Sequence, residues 1–253
     1  MDKKILLKKI LEYFYKGQEI PDNLNEMRKM YKNIIESIDD YDIPEDILLA
    51  EDKYLRLELL NKKLVDGEKF NTINTNLDEK YIHGDKIALL EGDIGNVYAD
   101  SIINPVDDSF DNNMFLNAGL RLRKKCLDIL KDKKLSPTEI LITRAYNLLS
   151  DYIIHVVLPK TDDLDEYKKE LGMCYFNVLE CSNNNIAKTI VLSDINKNIK
   201  ISKEESMRVL IDSIINYLDK DNCTIEKIII VTPDSDEFDD YTAILENYKE
   251  TTE

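Results

Sequence analysis

The residues of this chain best suited to chemistry are acids and amides set in short polar turns. Asp93 sits in the turn Gly92-Asp93-Ile94. Asp107, Asp111 and Asn112 share one polar loop, residues 106–113, with Asn104 just ahead of it. Ser193 and Asp194 open another polar turn, and Pro233 follows the last apolar run. An ionised carboxylate accepts hydrogen bonds and donates none, whereas an amide does both. A lone carboxylate such as Asp111 also has the character of a general base toward water. Metal ligands are scarce by comparison. The two histidines, His83 and His155, have no cysteine partner at zinc-ligand spacing. His155 reads as a packed strand imidazole and His83 as a solvated loop residue. No metal and no cofactor are expected.

These residues need a scaffold. Residues 87–90 are a continuous apolar run, which suits a strand covered on both faces. Gly92-Asp93 and Gly95-Asn96 follow as turn chemistry. Residues 101–104 give a second short strand, and Pro105 is expected to end its pairing because it has no N–H to donate. The loop at 106–113 then lies at the carboxyl end of that strand, where open α/β sheets bind ligands. A helix is expected over 120–131 and strands over 139–146 and 152–158. A helix follows the acidic loop 162–166, and strands are expected at 188–193 and 225–232. Ser202 and Glu205 have the spacing of a capping box, which opens another helix. Strands alternating with helices predict a layered α/β sheet.

Residues 2–64 read as helical throughout. One helix ends at Gly17, a second opens at Pro21, and a third opens at Ile43-Pro44-Glu45. Residues 66–85 are polar and loop-like. The expected division is a helical extension with a linker over residues 1–80, then an α/β domain over 81–253.

The bounds exclude several classes. A formal charge of −16 argues against a nucleic-acid backbone as partner. Any anionic ligand must be held locally against that field. Cys126, Cys174, Cys181 and Cys223 show no dense disulfide pattern and read as reduced thiols, as in a cytoplasmic protein. The first residues are amphipathic rather than a signal peptide. No apolar run approaches the ~20 residues of a membrane span, so no membrane partner is expected.

Several motifs resemble a known family. Gly92-Asp93-Ile94 matches a GDI turn, and Ile103-Asn104-Pro105-Val106-Asp107 stands where that family has VNAAN. Asp111-Asn112 and Ala118-Gly119 match its DN and AG pair. Residues 142–148 (Ile142-Thr143-Arg144-Ala145-Tyr146-Asn147-Leu148) and Tyr152-Ile153-Ile154-His155 match its ITRAYNLP and YVLH strands. In these motifs the chain resembles a macrodomain, the ADP-ribose-binding α/β module, and more narrowly the bacterial zinc-dependent protein-ADP-ribose hydrolase branch. The resemblance spans roughly residues 43–241. It implies a three-layer mixed sheet between helices, preceded by a helical extension.

The resemblance also implies roles. Asp93 would accept from the adenine amino group, and Ile94 beside it is a further ligand-binding candidate. Asp107 stands where the family's Asn orients the distal ribose; Asn112 is a further ligand-binding candidate, as is Asn104, whose other role is bonding local backbone. Ser193 and Asp194 would open the diphosphate loop, and Pro233 would stand at the adenine end. Asp107 and Asp111 are the catalytic candidates. Four departures bear on this. Asp107 replaces an Asn, so it cannot donate when ionised. Phe110 alone stands between Ser109 and Asp111, where the family inserts its zinc loop. The turn 193–198 lacks glycine, in a chain with only seven glycines, against a norm of ~7 percent. Pro233 stands where the family stacks an aromatic on the base. The reading that follows is a degenerate ADP-ribose, or related nucleotide, binding module with hydrolysis lost. The alternatives are a ligand-free module for a protein partner, and an active ADP-ribosyl hydrolase with a rearranged site.

Overall fold

The computed structural model describes residues 2–38, 42–77, 80–106 and 114–250. In chain order the helices are α1 (Lys3–Phe14), α2 (Leu24–Ser37), α3 (Glu45–Leu59), α4 (Ile73–Leu77), α5 (Met114–Ala118), α6 (Leu120–Asp132), α7 (Leu164–Asn184), α8 (Lys203–Leu218) and α9 (Ser235–Leu245). The strands are β1 (Val65–Asp66), β2 (Ile87–Glu91), β3 (Val97–Val106), β4 (Ile140–Arg144), β5 (Ser150–Val157), β6 (Thr189–Leu192) and β7 (Lys227–Thr232). The chain divides into two compact units. One comprises Met1–Leu64, Ser109–Lys134 and Arg144–Leu148; the other comprises Val65–Asp108, Leu135–Thr143 and Leu149–Glu253.

The first unit is helical because its apolar residues recur at helical spacing behind good caps. Asp2 accepts from Lys4 N–H and starts α1, whose Leu6, Leu7, Ile10 and Leu11 are buried. The second helix opens at Leu24 rather than at Pro21, because the Asn23 side chain accepts from both Asn25 and Glu26 N–H. Two acids, Glu45 and Asp46, complement the dipole in the first turn of α3. One acid lies on the apolar stripe of α3. Glu51 is fully buried, accepts from Leu120 N–H at 2.9 and 3.0 Å, and accepts from Tyr31 Oη at 2.5 Å. It thereby caps α6. Gly119, at φ +91°, sits beside it, and a Cβ there would lie 2.9 Å from a Glu51 carboxyl oxygen and from Leu55. Asn147 donates to Asp52 at 2.9 Å and to the Ala118 carbonyl at 3.1 Å. The AG pair and the Asn of the 142–148 motif therefore anchor α3 to the start of α6.

The second unit holds a seven-stranded sheet in the order β2-β7-β6-β3-β5-β4, with β1 beside β3. The pairs β2·β7, β7·β6, β6·β3, β3·β5 and β1·β3 are parallel. The five-residue connection between β4 and β5 is too short for a parallel crossover, so β4 runs antiparallel and the sheet is mixed. Helices flank it. One face packs Ile87, Leu89, Ile190, Leu192, Ile228 and Ile230 against α7, α8 and α9.

Two further sequence expectations change. Pro105 does not end the pairing: β3 continues beside β5 through Pro105↔Val156 and Val106↔Val157. Successive residues of a parallel strand present their polar groups to alternate sides. The Val106 carbonyl faces β5, accepting from Leu158 N–H, so the missing N–H of Pro105 falls on the β6 side, where pairing reaches only Ile102. The polar stretch 66–85 also carries structure, namely the end of β1 and the whole of α4. Side chains fix it without any hydrophobic period. Lys227 Nζ gathers the carbonyls of Gly67, Glu68 and Phe70 at 2.5–3.2 Å, and Asn74 Oδ1 accepts from Tyr81 N–H at 2.9 Å.

Candidate functional site

The parallel strands β2, β7, β6 and β3 deliver their carboxyl ends to one edge of the sheet. Glu91 pairs with Thr232, and Leu192 with Ile230, so three exit loops leave that edge side by side. They are residues 92–96, 233–234 and 193–201. This edge brings together Asp93, Ile94, Pro233, Ser193 and Asp194. Asp107, Asp111 and Asn112 lie outside the described residues.

Each exit loop begins with an Asp two residues beyond its strand, and each Asp caps the turn that follows. Asp93 is exposed and accepts from Gly95 N–H at 2.9 Å, which starts the 3-10 turn Ile94–Asn96. Asp234 accepts from Glu237 N–H at 2.9 Å and starts α9. Asp194 accepts from Asn196 N–H at 2.9 Å, from Tyr175 Oη at 2.9 Å and from Ser206 Oγ at 2.7 Å. Ile94 and Ser193 are half-buried beside these acids, and Pro233 is exposed. The sequence holds the signal for these caps: short acids two residues past apolar runs are common turn starters.

The β6 loop continues as a ladder. Asn196 Oδ1 accepts from Asn198 N–H at 2.9 Å, and Asn198 Oδ1 accepts from Lys200 N–H at 3.0 Å. Ile195 N–H donates to Tyr175 Oη at 3.1 Å, and Ile201 N–H to the Asn198 carbonyl at 3.2 Å. Five amides of the loop thus spend their hydrogen bonds within the chain. No residue of the loop has positive φ, so the loop closes without glycine.

Asn104 stands inside the sheet. Its side chain is buried and its Nδ2 donates to His155 Nδ1 at 3.0 Å, across the parallel register Asn104↔His155. The imidazole is fully buried, and its Nε2 donates to Thr143 Oγ1 at 2.9 Å. Burial lowers the His155 pKa to about 3, so the ring is neutral. Sequence alone placed His155 in the core but not its partners, which need the strand register. Burial also pushes the Glu51 carboxyl up to about 8, against the hydrogen bonds from Tyr31 and Leu120. Sequence reasoning missed Glu51, whose signal is an acid at helical spacing with Ile47, Tyr54 and Leu55. Among the described residues no group of three or more His, Cys, Asp or Glu side chains is placed to hold a metal ion.

In open α/β sheets ligands bind beyond the carboxyl ends of the parallel strands, which is where these exit loops lie. Residues 106–210, from the end of β3 into α8, match the Macro domain family model. The chain has the macrodomain fold. Its similarity to named relatives extends further. A protein-ADP-ribose hydrolase from Staphylococcus aureus (strain COL) is 24% identical over 234 residues, covering 86% of this chain and 84% of its own length. Among solved structures, the macro domain of ganglioside induced differentiation associated protein 2 superposes with a TM-score of 0.66 at 24% identity, covering 76% of this chain and 100% of that one. A Trypanosoma brucei macrodomain in complex with ADP-ribose superposes at 0.60 with 16% identity, covering 96% and 97%. At these identities the structural likeness establishes the fold. Among the described residues, no helix of the chain is long and apolar enough to cross a membrane.

Proposed function

We propose that this macrodomain binds ADP-ribose or a related adenine nucleotide and has lost hydrolysis. The observation that carries the binding half is the three-loop edge with Asp93 exposed at the end of β2, beside Pro233 at the end of β7. A carboxylate there suits an exocyclic amine, and a charge-assisted bond contributes roughly 1.5–3 kcal/mol. The printed functions of relatives, protein-ADP-ribose hydrolase and O-acetyl-ADP-ribose deacetylase, support the ligand class. The GDI turn and the 142–148 motif support a resemblance to the zinc-dependent branch. The loss of hydrolysis is argued from sequence: Asp107 stands for an Asn, and Phe110 alone spans the position of the zinc loop. Positioning supplies several kcal/mol of rate, so a site missing those parts is slow.

The test is release of ADP-ribose from mono-ADP-ribosylated protein at equimolar macrodomain, beside an active macrodomain control. The expected result is no release over the time course. Turnover that disappears in Asp111→Ala would make this an enzyme with a reworked site. For binding, Asp93→Ala should weaken the nucleotide about tenfold; equal affinity in calorimetry contradicts the assignment of Asp93. A second reading, a module for a protein partner with no nucleotide, draws on the internally bonded β6 loop.

A further inference from the structure

We infer that the outer face of α6, with the turn that presents Tyr146, docks an acidic segment of a protein partner, whatever the nucleotide crevice holds. The chain carries −16 overall, yet residues 120–134 contain seven basic side chains and two acidic ones. Part of that charge is already paired. Arg121 binds Glu45 and Asp52 of α3, and Lys131 pairs with Asp128 at 3.2 Å. Arg123 is buried, with its guanidinium 5.4 Å from the centre of the Phe115 ring. Lys125 and Lys134 are exposed and have no acidic partner among the described residues. Arg144, exposed at the end of β4, has none among them either.

Tyr146 points the same way. Residues 145–148 close a turn in which Leu148 N–H donates to the Ala145 carbonyl at 3.0 Å. Tyr146 stands in that turn at φ +54°, left-handed backbone that is costly for a bulky side chain and persists only where the surroundings impose it. Asn147 imposes it here, because its side chain reaches inward to Asp52 and to the Ala118 carbonyl. Tyr146 is left 39% exposed. Burial raises its phenol pKa, Cys126 of α6 acts in the same sense, and Arg121 and Arg144 act against it. The ring therefore lies among cations, next to the stretch of α6 that carries Lys125. An exposed tyrosine beside an arginine is the pair of residue types that most often anchors an interface.

An acidic peptide fits this surface better than a nucleic acid does. A helix of 13 residues is about 20 Å long. At its first turn Arg121 and Lys124 already face Glu45 and Asp42. A polyphosphate running past that end meets acids and the field of the whole chain, whereas a short segment ends within the cationic face.

The experiment is fluorescence anisotropy of a fluorescein-labelled Glu-Ala repeat peptide, with oligo-dT of equal charge beside it, at about 0.01 M and about 0.15 M salt. The native chain is expected to bind the peptide at the lower salt and more weakly at the higher. Lys125→Glu with Arg144→Glu should weaken binding about tenfold or more. Lys169→Glu with Lys63→Glu changes the net charge equally at two other exposed sites and should cost about twofold or less. Tyr146→Gly, which relieves the positive φ, should keep its melting temperature and still lose affinity. Absence of peptide binding, equal loss in the two double variants, tighter binding of oligo-dT, or a native dimer in sedimentation that the first double variant dissolves would each overturn the inference.

Discussion

Lowering the pH from neutral to 5 should destabilise this protein through His155. The ring is fully buried, its Nδ1 accepts from Asn104 and its Nε2 donates to Thr143, so no site remains for a second proton without losing a bond. Its folded-state pKa is about 3, against ~6.5 when unfolded. The folded pKa is therefore depressed. Stability is fully present above 6.5 and is lost as pH falls toward 3, because the unfolded chain takes up the proton first. Linkage over that window gives a loss of about 2 kcal/mol at pH 5 relative to neutral pH. Other groups titrate nearby, so the decisive quantity is a difference. Urea unfolding followed by circular dichroism at pH 7, 6 and 5, on the native chain and on His155→Gln, isolates the histidine. The variant is expected to be less stable at neutral pH and to lack this part of the pH dependence. Parallel curves for the two proteins would refute the reasoning.

Other outcomes follow from the same structure. Glu51 has the opposite sign: its folded pKa of about 8 lies above the unfolded value. Its stabilisation is therefore present below about pH 4.5 and declines by about 1.4 kcal/mol per unit as pH rises toward 8. Unfolding of Glu51→Gln across that range should lack this decline. Gly119→Ala should cost about 1–3 kcal/mol, since a Cβ at φ +91° meets Glu51 and Leu55. Gly172→Ala in α7, where the nearest atoms are 3.7 and 3.8 Å away, should instead gain up to about 1 kcal/mol, and melting curves compare the two. Metal analysis of protein prepared without a histidine tag should find no stoichiometric zinc; one zinc per chain, lost together with activity on chelation, would contradict this.

Much of the scaffold is legible in the residues. The apolar run at 87–90 reads as a strand covered on both faces, the strands expected at 188–193 and 225–232 stand at Thr189–Leu192 and Lys227–Thr232, and Ser202 with Glu205 forms the expected capping box. The failures have physical reasons. Pro105 looks like a strand end, but its missing N–H faces a side where no partner strand continues. The strand and helix within 65–77 are held by Lys227 and Asn74 rather than by a hydrophobic period. Of the candidate site, Asp93 and Asp194 were legible as residues just past the carboxyl ends of strands. Short acids two residues past apolar runs signal their shared work as caps, but which backbone N–H each acid faces is fixed only by the fold. Asn104 meets His155 only through the parallel register, which no spacing within either strand encodes.

The central claim, a macrodomain that still holds an adenine nucleotide, is tested most directly by melting the native chain with and without ADP-ribose. At one hundred times the dissociation constant, a ligand specific for the folded state adds ~2.7 kcal/mol. The account predicts a melting temperature that climbs with ADP-ribose concentration. An unchanged melting temperature at millimolar ADP-ribose would contradict it and favour a module that meets only other proteins.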